Sequence, residues 1–494
     1  MLYTVKQLRQ IEQNAQKSLA PGALMQAAGK AAAALAMTLL PKPELAILVL
    51  AGPGNNGGDA FETALLLAAA GHDVTVLHHP SKSNVSTEAQ QAYAKAQACA
   101  QLRWLTVDSF LADSYDLVID GLFGIGLTPQ KLESTIQKHL IQINAMSCPI
   151  LALDMPSGLE ADTGNLITSN CIIATHTISF IGNKIGLYTG SGRDHAGKVT
   201  NADLHILSQF LPASEMQLSA PNLFPDIFQA RRHNSHKGSN GTVALIGGAS
   251  GMQGALILAA RAALYAGAGR VIAGFIEQPP HFDAQQPELM CQPAQQLHYD
   301  ANTVVVIGPG LGNAISSFEF VSRALLSTNR LIIDADALNL ISQQPALHAL
   351  CIGRDKLSTL ITPHPLEAAR LLGCSVEMVQ ADRIEAAKKL ARRFSAVVIL
   401  KGSGSVIADP EGNIVINTTG NPGLASGGTG DVLAGVCAAL LAQHNNLWQA
   451  ALAATYLHGA AADSLVAQGI GPVGLSASEL LVEIRKQLNG LQAA

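Results

Sequence analysis

The sequence predicts an α/β protein of two domains, and three observations carry that prediction. Its 494 residues exceed one ordinary domain and suit two or three, each with a full core. Apolar runs of strand length alternate with helix-like stretches through both halves, the pattern of a parallel sheet covered on both faces. Each half also carries a glycine-rich loop followed by an apolar, helix-like run. The first is Gly52-Pro53-Gly54-Asn55-Asn56-Gly57-Gly58-Asp59 and the second Asn421-Pro422-Gly423-Leu424-Ala425-Ser426-Gly427-Gly428-Thr429-Gly430-Asp431. Backbone N–H groups at a helix start attract anions, so two such loops predict two centres acting on phosphate-bearing ligands.

In the first half, Leu45–Ala51 reads as a buried strand, followed by the first loop and a helix over Gly58–Ala70. Val74–Leu77 is a strand and Thr87–Ala100 a helix, and the strands Leu117–Asp120 and Ile150–Asp154 each end in an aspartate. Ligands of such sheets bind beyond the carboxyl ends of the strands, so the loops at Gly52, Asp120 and Asp154 converge on one crevice. The pattern lapses between Ser208 and His233, where Pro212, Pro221 and Pro225 mark a linker, placed at 212–221 between domains 1–211 and 222–494. The second half restarts with a strand at Thr242–Ile246 and a helix at Gln253–Ala266. Strands follow at Val271–Phe275, Thr303–Ile307, Leu331–Asp334, Thr359–Thr362 and Val397–Lys401. Ser405–Ala408 and Ile414–Ile416 flank Pro410-Glu411-Gly412-Asn413, a hairpin signal, and helices from Asp431, Trp448 and Ser476 close the chain. Gly-Pro-Gly follows a strand in both halves, at Gly52 and Gly308, without a repeat of fixed period.

Apolar residues make up 48% of the chain and charged ones 14%, with 45 glycines, a profile of an α/β enzyme with tight strand-to-helix turns. A net charge of −5 gives no pull toward nucleic acid or membrane, so an anionic ligand has to be held by local dipoles and a few lysines. Seven cysteines are scattered with no C-x-x-C pair, as in a cytoplasmic protein with reduced, buried thiols. The charged start (Lys6, Arg9, Glu12, Lys17) is unlike a signal peptide, and the run Ala31–Leu40 is too short to span a bilayer and stops at Pro41. A soluble homo-oligomer is the expectation.

Gly52, Gly54 and Gly57 match G-x-G-x-x-G, yet His78-His79 stand where a dinucleotide-binding unit carries an acid for the ribose hydroxyls. The first loop reads either as a capped turn or, through Asn55, Asn56 and Asp59, as part of a site. Asp120-Gly121-Leu122-Phe123-Gly124-Ile125-Gly126-Leu127 and Asp154-Met155-Pro156-Ser157-Gly158 add an Asp and a Ser at strand tips. Hard oxygens of low total charge suit a weakly charged cation better than zinc. With Gly182-Asn183-Lys184, these segments resemble the NAD(P)H-hydrate epimerase family over about Met1–Leu211. The resemblance implies a Rossmann-like three-layer α/β/α domain in which Asn56, Asp120 and Ser157 hold potassium. It also implies that Asn55, Asn56, Gly57, Gly58 and Asp59, then Gly124, Ile125, Gly126, Leu127, Thr128, Pro129 and Gln130, contact the hydrated dinucleotide, with Asp154 as a further contact and the acid/base at the ring carbon. Lys184 reads as a phosphate contact or as a solvated turn lysine. Ala60 departs from the family's usual glycine without touching a ligand position.

Gly427-Gly428-Thr429-Gly430-Asp431 is the strongest motif. Its glycines turn N–H groups toward a transferring phosphoryl group. An aspartate beside a bound phosphate suffers like-charge repulsion, a cost explained if it takes the proton of an attacking hydroxyl. The loop resembles that of ribokinase-like small-molecule kinases. His236-Lys237-Gly238, Gly254-Ala255, Gly267-Ala268-Gly269, Gly308-Pro309-Gly310-Leu311-Gly312, Asp334-Ala335-Asp336-Ala337-Leu338-Asn339, Thr362-Pro363-His364-Pro365 with Glu367, and Lys401-Gly402-Ser403-Gly404-Ser405 narrow it to the NAD(P)H-hydrate dehydratase family from about Asn222 onward. Leu366 stands where the family commonly has Gly.

That resemblance implies a ribokinase-like α/β domain. It implies that Lys401, Gly402, Ser403, Gly404, Ser405 and Gly430 hold ADP or ATP, with magnesium. Ala255, Gly312, His364 and Asp431 line the hydrate pocket, and Asp431 is catalytic. Together the two resemblances imply repair of NADHX and NADPHX, the hydrated cofactors. The first domain would interconvert the R and S forms, and the second would dehydrate the S form after phosphorylating its ring hydroxyl, with ADP favoured as in bacterial members. Two other readings remain: an ATP-dependent kinase of a small vitamin or sugar, and a first half that only senses nucleotides.

Overall fold

A computed structural model describes residues 1–40, 42, 44–80, 85–110, 114–127 and 134–493. The chain divides into two compact units, Met1–Ser214 and Glu215–Ala494.

The first unit is built on a parallel sheet of seven strands among the described residues. Their order is Leu102–Leu105, Asp73–His78, Ala46–Ala51, Leu117–Gly121, Ile150–Leu153, His176–Phe180, Lys198–Ala202. Its central strands are continuous apolar runs because both faces are buried. Ile47, Val49 and Ala51 pack with Ala28, Ala32, Phe61 and Ala64 of two helices on one face, while Leu48 and Leu50 pack with Leu140 and Ile143 on the other. The helix after the first loop runs Asn55–Ala69, three residues earlier than the sequence suggests, because the chain is already extended at Gly54. Asn55 and Asn56 therefore occupy its first turn.

The loop is fixed by backbone proximity. A Cβ on Gly52 would lie 1.7 Å from the Leu122 carbonyl oxygen, and one on Gly57 would lie 1.9 Å from the Gly52 carbonyl oxygen. Two N-terminal helices, Val5–Gln16 and Ala23–Leu39, were absent from the sequence reading beyond the run Ala31–Leu40. Thr4 and Gln7 form a reciprocal capping box on the first. Pro41 lies outside the described residues.

The second unit holds a ten-stranded sheet among the described residues. Its order is Met216–Leu218, Ile414–Ile416, Val406–Ala408, Val397–Leu400, Thr359–Ile361, Leu331–Ile333, Val304–Ile307, Thr242–Gly247, Arg270–Phe275, Met290–Pro293. Pairing is parallel except where Val406–Ala408 meets each of its neighbours, so the expected hairpin closes antiparallel onto Ile414–Ile416. The segment 212–221, read as linker, contains the edge strand Met216–Leu218, whose three residues pair with Ile414–Ile416 across the turn-rich sequence. The helix carrying Asp431 begins at Thr429, with Gly428 at φ +90° before it, so Asp431 lies in the first turn rather than at the cap. The last helix begins at Glu479, whose carboxylate accepts from Ser476 N at 2.7 Å. Of the free cysteines, Cys171, Cys351 and Cys437 are buried and the other four half-buried. Among the described residues no helix is long and apolar enough to cross a membrane.

Gly52→Ala forces a methyl group into the Leu122 carbonyl. It is expected to lower the stability of the first unit by about 3 kcal/mol or more, because backbone cannot yield as a side chain can. Chemical denaturation checks this; a loss no larger than that of an exposed helix substitution refutes the close approach.

Candidate active sites

In the first unit, the carboxyl ends of three adjacent strands border one cavity of about 1070 Å³, lined by Asn55, Asn56, Asp59, Gly124, Ile125, Gly126 and Asp154 among others; Gly57, Gly58, Asp120, Leu127 and Ser157 are not among its lining residues. Asp120 closes its strand fully buried, and Ser157 binds it twice: Ser157 N to Oδ2 at 2.8 Å and Ser157 Oγ to Oδ1 at 2.7 Å. Leu122 N adds a bond to Oδ1 at 3.2 Å. Burial drives the Asp120 pKa up to about 6 against these hydrogen bonds, which favour the ionised form. Asn56 Nδ2 donates to the Leu153 carbonyl at 3.1 Å, while its buried Oδ1 has no hydrogen-bond partner. A buried acceptor left without a donor is costly unless something positive completes it, and potassium fits that requirement.

Asp154 adopts φ +65°, left-handed for a non-glycine residue, the kind of strain that collects at functional sites. Its carboxylate accepts from Ile125 N at 3.1 Å and pairs with Lys184 Nζ. Lys184 is not solvated: 1% exposed, it also donates to Phe180 O at 2.7 Å and Ser179 Oγ at 3.0 Å. Gly124 needs its missing side chain, since a Cβ there would stand 2.6 Å from Asp154 Oδ2. Asp59 sits well above the usual carboxylate range, first through burial and then through Asp154, and Glu12 is raised for the same two reasons in the same order. Glu12 and Arg9 enter the cavity from the N-terminal helix and were not singled out as site residues. Leu127 is half-buried, and Thr128, Pro129 and Gln130 lie outside the described residues.

In the second unit, the buried Asp334 ends the strand Leu331–Ile333 and accepts from Lys401 Nζ at 2.8 Å and Thr362 Oγ1 at 2.7 Å, which joins three strand ends. Lys401 is raised: burial opposes its charge, but Asp334, Glu367 and Asp431 outweigh that. The Gly430 backbone comes close enough that a Cβ would lie 3.3 Å from Lys401 Nζ. Asp431 is pushed up to about 7, by burial first and then by Asp334, with Lys401 pulling the other way.

His364 caps its helix through Nδ1, which accepts from Leu366 N at 3.2 Å and Glu367 N at 3.3 Å. Its proton therefore sits on Nε2, 3.3 Å from Glu367 Oε1. Burial raises Glu367 to about 7 and lowers His364. Gly312 N donates to Asp336 Oδ2 at 2.8 Å, and a Cβ on neighbouring Gly310 would lie 3.2 Å from Ala255 Cβ, so these pocket residues share one neighbourhood.

The loop Lys401–Ser405 is stiffened internally by Gly402 N to Ser405 Oγ at 3.3 Å and from beneath by Arg383. That side chain is 3% exposed and donates to Leu400 O at 3.2 Å and Lys401 O at 3.3 Å. Ser403 and Gly404 lie in the same loop. Nothing in the sequence near Arg383 announces this role.

Comparison with known proteins matches both units. The family profile described as YjeF-related protein N-terminus matches residues 21–186, and that described as NAD(P)H-hydrate dehydratase matches residues 243–486. The bifunctional NAD(P)H-hydrate repair enzyme Nnr of Vibrio cholerae is 37% identical, aligned over 99% of this chain and 98% of its own. The corresponding Escherichia coli protein is 39% identical over 90% and 85%. Among solved structures, the ADP/ATP-dependent NAD(P)H-hydrate dehydratase of Bacillus subtilis co-crystallised with ATP/Mg2+ is 31% identical, covering 53% of this chain and 92% of its own at a TM-score of 0.46. Matched from end to end by such relatives, the chain belongs to the family of bifunctional NAD(P)H-hydrate repair enzymes.

Proposed function

We infer that the chain repairs NADHX and NADPHX at two centres. The first unit interconverts the R and S hydrates, and the second uses ADP or ATP to return the S form to NADH or NADPH. The observation that carries this reading is Asp431 in the first turn of a glycine-led helix near Lys401, where burial pushes its pKa up to about 7. Such a group both releases and accepts a proton at working pH. Alignment over almost the whole chain with bifunctional repair enzymes argues against a vitamin or sugar kinase and against a first half that only senses nucleotides.

The hydrate dehydrates poorly because its leaving group is hydroxide. Asp431 takes the hydroxyl proton as the oxygen attacks the terminal phosphorus of the nucleotide, whose remainder departs. The amides of Gly427–Gly430 face the charge spreading over the transferring group. The ring nitrogen's lone pair then expels phosphate as the C6–O bond breaks, and loss of a proton from C5 restores the ring double bond. Lys401, Gly402, Ser403, Gly404, Ser405 and Gly430 hold the nucleotide; Ala255, Gly312 and His364 seat the hydrate. The carboxylates here suit magnesium carried on nucleotide phosphates, where it would neutralise their charge.

In the first unit, Asp154 moves the proton at the ring carbon, with Lys184 holding its carboxylate. Asn56, Asp120 and Ser157 supply oxygens for potassium, which would neutralise part of the carboxylate charge. The scattered free cysteines favour cytoplasmic residence.

Asp431→Asn is expected to abolish NADH recovery from S-NADHX with either nucleotide, a loss on the order of 10²–10⁴. Chromatographic interconversion of R and S should survive, and loss of both activities in a folded variant refutes the division of labour. The same variant tests the electrostatics. Because the Asp431 pKa is raised in the fold, its contribution to stability is present at low pH and lost as pH rises through about 7. Removing the charge should therefore raise Tm at pH 8 by roughly a few degrees, raise it less at pH 5, and leave it little changed only below about pH 4, where the carboxyl is protonated in both states.

Potassium chloride, compared with choline chloride at equal ionic strength, should stabilise the first unit by about 2–3 kcal/mol at a hundredfold excess over Kd. Asn56→Ala should erase that increment. An increment that persists in the variant places the cation elsewhere.

A further inference from the structure

His79 follows the strand Asp73–His78, where a dinucleotide-binding sheet ordinarily places an acid for the ribose hydroxyls. Its amide donates to Ala51 O at 2.8 Å, which pins it beside the strand end that launches the first glycine loop. The side chain is 5% exposed and lines the same cavity as Asn55, Asn56 and Asp154. Its ring is held from behind: His139 Nδ1 lies 3.1 Å from His79 Nε2, and Phe110 packs edge-on against His139 with centroids 4.9 Å apart. His139 also hydrogen-bonds the Val107 backbone. With the His139 proton on its other nitrogen, toward Val107, its Nδ1 accepts from His79 Nε2–H. His79 Nδ1 is left as a neutral acceptor. Burial, reinforced by His139 and His78, lowers the His79 pKa to about 4 and keeps the ring uncharged.

The order of strands gives this acceptor a partner. Asp154 lies on one side of the glycine loop and His79 on the other, because the strand Ala46–Ala51 sits between Asp73–His78 and Leu117–Gly121, with Ile150–Leu153 beyond. A dinucleotide with its hydrated ring at Asp154 and its pyrophosphate at the loop runs its adenosine toward His79. We propose that His79 receives the adenosine-side ribose through a neutral acceptor, and that this is why the first centre takes NADHX and NADPHX alike. The proposal rests on the epimerase reading of that centre.

A carboxylate at this place would accept from both ribose hydroxyls yet repel a 2′-phosphate; an imidazole accepts from a hydroxyl and tolerates the phosphate. Of the bases lining the cavity, Lys184 is paired with Asp154, and the exposed Arg9 acts electrostatically on Glu12. The acid that follows this strand in the cavity lining, Glu88, interacts with Glu12 instead.

The test uses the full chain without nucleotide, so that only epimerisation is read, with R-NADHX and R-NADPHX as separate substrates. In His79→Asp, kcat/KM for NADPHX should fall about tenfold or more beyond any fall for NADHX, from like-charge repulsion. His79→Gln, neutral and still an acceptor, should keep the wild-type ratio whatever its overall loss, and Glu88→Gln should leave that ratio unaltered. Equal losses for both substrates in His79→Asp, a biased His79→Gln, or a ratio moved by Glu88→Gln overturns the proposal. If the wild-type chain interconverts neither substrate, the epimerase reading falls on its own. The affinities of ADP-ribose and 2′-phospho-ADP-ribose for wild type and His79→Asp then decide His79, and an unchanged ratio rejects it.

Discussion

Both centres place more carboxylates than cations in surroundings that resist charge. In the first unit Asp59, Asp154 and Glu12 act on one another around Lys184; in the second, Asp334, Asp336, Glu367 and Asp431 surround Lys401. One lysine cannot neutralise three or four clustered acids. It pairs closely with one, Asp154 or Asp334, and the surplus is carried by carboxyls that hold their protons to higher pH. Asp59, Glu367 and Asp431 are those carboxyls. The charge deficit thus raises the carboxyls that lack the close lysine pair.

The sheets make this crowding unavoidable. Parallel strands end at the same edge, and each strand that ends in an aspartate brings another acid to its neighbours. Glycine lets the backbones close further: the Gly52 and Leu122 backbones meet where no side chain fits, and Gly430 leaves Lys401 in contact with the nest. Amide dipoles can then supply the positive potential that side chains do not, which suits the anionic ligands proposed for both centres.

This division explains what the sequence could tell. The glycine loops, Asp120, Asp154, Asp334 and Asp431 were legible because their signals are local: an apolar strand, an acid at its tip, a turn that needs glycine. Strand positions followed for the same reason, while the helix after Gly54 was placed late because Asn-Asn-Gly-Gly resembles a turn more than a first helical turn. Lys184 was ambiguous, because its burial depends on Ser179 and Phe180 from the preceding strand and on Asp154 thirty residues earlier in the chain. Glu12 and Arg383 act through tertiary contacts to distant strand ends, and no local pattern marks them. The strand Met216–Leu218 was hidden by flanking prolines, which suit an edge whose outer side needs no ladder.

The same electrostatics make sense of an acid inside an anion-binding nest. Under the proposed function, an incoming nucleotide would add negative charge beside Asp431 and push its pKa up further, while Lys401 pulls the other way from the adjacent strand end. A carboxylate ionised in that field is a stronger base than one in water, and the proton it most readily takes is that of the hydroxyl moving toward phosphorus. Taking that proton also removes the repulsion between carboxylate and phosphate as the new P–O bond forms. The unfavourable charge pair exists before transfer and is relieved during it, so the nest stabilises the transferring group more than the bound nucleotide. A plain helix cap would gain nothing from such an arrangement, and its cost to the fold would go uncompensated.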